Sequence, residues 1–92
     1  MTHEQLMQLK SMLLKKGYDE SMITLYISAK DMQELADFEK SCYRAVSEDY
    51  VPKVGDEGYV QGCRYIVVDW EPSRYVVWLK RGKYILEEGF IC

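Results

Sequence analysis

The side chains able to carry covalent or acid–base chemistry are few in this chain and poorly spaced for it. His3 is the lone histidine and falls at a helix start that should fray, so neither a histidine-based triad nor a rigid histidine metal site is expected. Glu87 and Glu88 are adjacent in a stretch of strand character and should point to opposite faces, the wrong geometry for shared proton transfer. Cys42, Cys63 and Cys92 are an odd number of thiols with no metal-ligand spacing, which points to a reducing compartment. Cys42 is expected on the apolar face of a helix and Cys63 at the opening of a strand, both as small core residues. Cys92 is a terminal thiol able to form adventitious dimers under oxidising conditions. Gly55, Gly58, Gly62 and Gly82 are spaced as turn residues and not as a phosphate-cradling loop. The expectation is a protein with no catalytic residues, no cofactor and no metal.

Two constellations are better suited to recognition. Asp31, Glu34 and Asp37 recur at helical spacing and give a helix an acidic edge, which could enter a basic groove on a protein partner. Lys40 and Arg44 dilute that field, and acids near a helix N-terminus are also favoured by the helix dipole alone. Further on, Tyr59, Tyr65, Trp70, Tyr75, Trp78 and Tyr84 alternate with Arg64, Arg74, Lys80, Arg81 and Lys83. Such a set could stack single-stranded nucleic acid, although aromatic residues also form strands well and fill small cores. The partner-binding candidates are therefore Asp31, Glu34 and Asp37 on the helix, and Trp70, Arg74 and Trp78 on the sheet.

The charge balance favours a protein partner. The net charge is −3, with nine acids against six bases before residue 51 and six of each after it. Attraction to nucleic acid grows with the number of phosphates neutralised, so a chain of this balance is a weak candidate for it. The apolar runs are shorter than the roughly 20 residues of a membrane span, and Met1-Thr2-His3-Glu4 has no signal-peptide character. No membrane association is expected, and the expected location is cytoplasmic.

The elements that would position these groups follow from a change in hydrophobic period. Apolar residues recur at helical spacing before Val51 and alternate strictly after Gly58, with Pro52 to Asp56 as the joint. Thr2 and Gln5 form a capping box for a first helix that Gly17 should stop. Met22, Leu25, Tyr26 and Ala29 suggest a second, buried helix. Asp31 and Glu34 suggest the cap of a third, roughly Met32 to Ser47, with Leu35, Phe38 and Cys42 on its buried stripe. Strands are expected at Tyr59-Val60, Cys63 to Trp70, Arg74 to Lys80, Lys83 to Glu87 and Phe90-Ile91, with Gln61-Gly62 as a two-residue turn. The 92 residues then make one α+β domain: a helical part over 1–50, with two or three helices, packed on a four- to five-stranded antiparallel sheet over 51–92.

Val54-Gly55-Asp56, Tyr59-Val60, Tyr65-Ile66-Val67-Val68 and Val76-Val77-Trp78-Leu79 together resemble the small SH3-like barrels of bacterial, plasmid and phage proteins. That resemblance covers less than half of the chain. It implies a sheet face and loops that bind peptide or nucleic acid. Glu71-Pro72-Ser73-Arg74 lacks the basic or glycine-rich character that nucleic-acid-binding members often show. The leading expectation is a small non-catalytic protein-binding module, comparable in size and charge to phage or mobile-element accessory proteins that inhibit host nucleases, such as anti-CRISPR proteins. The alternative is an SH3-like nucleic-acid-binding module that uses the sheet aromatics and basic residues.

Overall fold

Among the described residues five strands form a single sheet, and the central one comes from the half of the chain whose spacing suggested only helices. The computed structural model describes residues 1–42, 49–79 and 84–91. Its elements are α1 (His3–Lys15), a short 3₁₀ turn (Glu20–Met22), β1 (Ile23–Ser28), α2 (Ala29–Ser41), β2 (Glu57–Val60), β3 (Cys63–Val68), β4 (Arg74–Trp78) and β5 (Ile85–Phe90). The sheet order is β2-β3-β1-β4-β5. Strand β1 runs parallel to β3 and antiparallel to β4, so the sheet is mixed and not purely antiparallel.

The helix expected around Met22 to Ala29 is therefore a strand. Leu25, Tyr26 and Ala29 fit a helical stripe, but Ile23, Leu25 and Ile27 also alternate with Thr24, Tyr26 and Ser28. Within β1 the first three are core residues of a half-covered sheet. Over six residues the two periods overlap, and the β-branched content of the segment favours the strand. Two α-helices remain among the described residues.

α1 starts at Thr2 through the reciprocal Thr2–Gln5 capping box and ends at the Lys16 cap, followed by Gly17 at φ +91°. α2 starts earlier than the sequence suggested. Ser28 is its N-cap, the Ser28 hydroxyl accepting the Asp31 N–H at 3.2 Å, so Asp31 lies in the first turn and is not the cap. α2 ends at Ser41, and the expected continuation to Ser47 lies outside the described residues from position 43 onward. Cys42, expected in the core, is exposed at the C-cap, whereas Cys63 is fully buried and its thiol is pushed up to about 11 by burial. Cys92 is also outside the described residues.

Both helices cover the same face of the sheet. Leu6 and Leu13 of α1 and Met32, Leu35 and Ala36 of α2 share one core cluster with Ile23, Leu25, Ile27, Cys63, Tyr65, Val67, Tyr75 and Val77. Across the middle of this inner face, Gly58, Tyr65, Leu25, Tyr75 and Gly89 stand in register over all five strands. The row has a steric logic. Leu25 is completely buried at its centre, and each flanking tyrosine lays its ring over the glycine of an edge strand, an arrangement that protects otherwise bare edge backbone.

The fit is close at both ends. A Cβ at Gly89 would come 2.8 Å from the Tyr75 ring and hydroxyl, and one at Gly58 would come 3.1 Å from those of Tyr65. Each tyrosine hydroxyl is held in turn. Tyr75 donates to Glu87 at 3.1 Å, while Tyr65 meets Tyr50 at 3.3 Å. Gly89→Val should expel the Tyr75 ring and cost about 1–3 kcal/mol by overpacking, measured by urea denaturation, with Gly58→Val following the same trend. An unchanged midpoint for both would show that the rings do not depend on bare glycines.

The joint at Pro52 to Asp56 is also built from side-chain chemistry. The Asp56 carboxylate accepts from the Lys53 N–H at 2.9 Å and from the Tyr50 hydroxyl at 3.2 Å, closing the turn before β2. The next turn is the expected two-residue hairpin, with Gln61 at φ 50° and Gly62 at φ 86° matching a type I′ pair.

Candidate functional site

Among the described residues no helix lies on the outer face of the sheet, and aromatic and charged side chains occupy it. Two rows cross it in register. Tyr59, Arg64, Thr24, Val76 and Glu88 form one, and Glu57, Ile66, Tyr26, Arg74 and Phe90 form the other. Tyr59 is 77% exposed, Phe90 64%, Ile85 51% and Trp70 45%. Exposed aromatic and aliphatic side chains thus share this face with charged ones, and exposed apolar groups rimmed by polar residues can mark an interaction surface.

A concavity of about 210 Å³ lies near the β4–β5 end of this face, lined by Tyr26, Trp70, Arg74, Val76, Trp78, Ile85 and Glu88. Its floor is Val76, only 3% exposed. Tyr26 and Trp70 form one wall with ring centroids 6.3 Å apart, and Trp78 lies beside Ile85 across the β4–β5 pair. Of the six sequence candidates, the fold brings Trp70, Arg74 and Trp78 together here. Tyr26, Val76, Ile85 and Glu88 complete the site and were missed. The alternation Thr24-Tyr26-Ser28 on one side of β1 was the signal that could have found Tyr26.

The charges of the outer face are largely settled within it. Arg64 donates to Glu57 at 2.5 Å, and Arg74 donates to Glu88 at 2.6 Å, each pair crossing diagonally to an edge strand. Exposed pairs of this kind add little stability. Their consequence is electrostatic, since neither guanidinium remains uncommitted for a phosphate. Lys80, Arg81 and Lys83, the other basic members of the nucleic-acid reading, lie outside the described residues.

Asp31, Glu34 and Asp37 belong to the helix layer and already have partners. The N-terminal ammonium of Met1 contacts the Asp31 carboxylate, and it reaches Glu34 at 3.3 Å. Asp31 also accepts from the Ser73 hydroxyl at 2.6 Å, and Ser73 in turn accepts the Ser28 N–H at 2.9 Å. Asp37 accepts from Gln33 at 2.9 Å and lies 3.8 Å from Lys40. Burial opposes ionisation of Asp31, but the Met1, Ser73 and Ser28 hydrogen bonds outweigh it and hold the carboxyl below its ordinary value.

A lowered folded-state value means that ionised Asp31 supports the fold above its unfolded pKa of about 3.9. This support disappears as the pH falls through the folded value. Denaturation midpoints of the native protein should fall below about pH 4, and Asp31→Asn should flatten that acid limb while lowering stability at neutral pH. Parallel pH profiles for the two proteins would contradict this assignment.

His3 makes two side-chain contacts outside its own helix. Its ring stacks on Phe38 with centroids 3.9 Å apart, and its Nδ1 meets the Gln61 amide at 2.7 Å. Phe38, expected in the core, is thus half-buried beneath His3. A wider cleft of about 540 Å³ opens here, lined by His3, Met7, Lys10, Phe38, Glu39 and Gln61 among others. Much of its polar lining is internally bonded: Lys10 donates to the Gln61 carbonyl at 2.6 Å and lies 3.3 Å from Glu20. Among the described residues no group of three or more His, Cys, Asp or Glu is placed to hold a metal ion. Among them, too, no helix is long and apolar enough to cross a membrane.

The fold and site together define an α+β domain with a half-covered mixed sheet and an aromatic recess on its open face. No family model, no curated protein and no solved structure matches the chain.

Proposed function

We propose that the protein is a non-catalytic protein-binding module that docks through the open face of its sheet. The observation that carries this reading is an apolar, aromatic surface whose two described arginines are both paired to carboxylates on the same face. A large uncovered apolar face suits a protein surface. Paired arginines and a net charge of −3 do not suit a polyphosphate backbone. The helical acids are a weaker docking surface, because Asp31 and Glu34 are engaged by Met1 and Asp31 also by Ser73. Inhibition of a host nuclease by a phage or mobile-element accessory protein, in the anti-CRISPR manner, agrees with this size and charge and belongs to the same proposal.

The test sets protein against nucleic acid. Fluorescence anisotropy with short single- and double-stranded DNA and RNA at about 0.15 M salt should show negligible binding. Affinity capture should retain a protein that a Trp70→Ala/Trp78→Ala variant fails to retain. Micromolar or tighter nucleic-acid binding that the same variant abolishes would replace this reading with the stacking alternative.

A further inference from the structure

Resting on the protein-binding reading above, we infer that the open face receives the open face of a second copy of this chain, the two sheets stacking as a symmetric dimer. The face has an internal near-symmetry that the order of its segments along the chain conceals. Glu57-Gly58-Tyr59 on β2 corresponds to Glu88-Gly89-Phe90 on β5, and Arg64-Tyr65-Ile66-Val67 on β3 corresponds to Arg74-Tyr75-Val76-Val77 on β4. Half a turn about an axis through Leu25, normal to the sheet, exchanges these segments. It reverses the strand order and swaps the two outer rows, carrying Tyr59 onto Phe90, Arg64 onto Arg74, Ile66 onto Val76 and Glu57 onto Glu88. Both ends of the face thus carry the same set: an arginine, a glutamate, an aliphatic residue and an aromatic ring.

That charge pattern is self-complementary. A two-fold dimer brings the same patch of each subunit together, and with its axis laid along β1 each outer row meets the same row of the other copy in reverse order. Arg64 then lies over Val76 of the second copy, one strand from Glu88 of that copy, and Arg74 lies over Ile66 of the second copy, one strand from its Glu57. Strands are about 4.8 Å apart and packed sheets about 10 Å apart, both within the reach of an arginine side chain meeting a glutamate. Each end of the interface then holds one Arg–Glu pair from each copy. A guanidinium has donors enough for two carboxylates, so the bonds of Arg64 to Glu57 and of Arg74 to Glu88 persist while each arginine also reaches an acid of the opposite chain. Its stem covers the valine or isoleucine beneath it. Thr24 and Tyr26 meet their own copies on the axis, so no like charges face each other at the centre. Laying the axis across the strands sets Arg64 beside Glu57 of the second copy and Arg74 beside its Glu88. The pairing chemistry is the same, because the two ends are alike.

The test is sedimentation equilibrium of the full chain from about 10 μM to about 1 mM, the span of weak association. The native chain should dimerise with rising concentration, and the indole N–H resonances of Trp70 and Trp78, which line the recess on this face, should shift on dilution. Arg64→Glu/Arg74→Glu makes the charges of the two rows all acidic, and Glu57→Arg/Glu88→Arg makes them all basic. Each variant alone should dimerise at least about tenfold more weakly, because like charges then face each other. Both variants also lose their intrachain pairs, so only contact between chains can set their mixture apart: equimolar mixing should restore a dimer at least as tight as the native one. Mixing is read with both variants folded by circular dichroism; otherwise the native dilution series decides. A native chain that stays monomeric, or dimerises with both indoles unmoved, would overturn the second copy as occupant. So would a dimer that either variant alone retains undiminished, or that mixing the folded variants fails to restore. The docking reading of the face would survive each of these results, and it fails separately if the Trp70→Ala/Trp78→Ala variant still retains the captured protein.

Discussion

Leu25→Ala should destabilise the protein by about 2–5 kcal/mol, the range for truncating a fully buried leucine. Leu25 sits on the central strand, completely buried between Tyr65 and Tyr75. Those rings are held over Gly58 and Gly89, so they cannot easily collapse into the space left behind. A domain of this size has only roughly 5–15 kcal/mol to lose, and each kcal/mol should lower the melting temperature by about 4–8 °C. Leu35→Ala on α2, also fully buried, should fall in the same range. Phe38→Ala should cost less, because that ring is half-buried and its main partner is His3. Calorimetry that ranked Phe38→Ala above Leu25→Ala would place the core in the helix layer and not in the sheet.

The second large effect is on binding. Trp70→Ala combined with Trp78→Ala should weaken partner affinity by about a hundredfold or more, since a buried aromatic anchor commonly contributes 2 kcal/mol or more. Trp70 is exposed and Trp78 half-buried, so the far-ultraviolet spectrum should be retained, with a modest loss of stability from Trp78. The matched control is Met12→Ala/Leu14→Ala. Both residues are exposed apolar side chains on α1, remote in sequence and element from the open face. This pair should leave affinity within about twofold, the behaviour of residues outside an interface. Equal losses from both pairs, measured by titration calorimetry, would mean that general apolar exposure rather than this recess drives association.

The parts of the fold legible in the sequence are those where one local signal had no competitor. Thr2 with Gln5, Gly17 after two lysines and Gln61-Gly62 each fix a boundary through their own hydrogen bonds or backbone angles. Strand β3 was equally plain, because Cys63, Tyr65 and Val67 alternate with Arg64, Ile66 and Val68. The segment Ile23–Ser28 was ambiguous, since six largely apolar residues satisfy either period, and pairing with β3 and β4 decided the outcome. That one segment also determines the sheet's character, for its position between β3 and β4 introduces the parallel pair.

The candidate site was half legible for the same reason. Trp70, Arg74 and Trp78 are local features of a strand–turn–strand stretch, whereas Tyr26 joins them only through β1, and Ile85 and Glu88 only through the β4–β5 register. The acids were visible as types and spacing. That Met1 and Ser73 engage Asp31, and Met1 also Glu34, follows from contacts spanning more than 30 positions for Glu34 and 42 for the Ser73–Asp31 pair, which no periodicity encodes.

The central claim, that the open sheet face is the binding surface, is tested most directly by site-specific photo-crosslinking in the presence of the captured partner. A benzoylphenylalanine would be placed at Tyr59 or Phe90 on the outer rows, or at Leu14 on α1. Covalent protein adducts from the Tyr59 and Phe90 positions, and none from Leu14, are the predicted result. Adducts from Leu14 alone, or adducts to nucleic acid from the sheet positions, would contradict it.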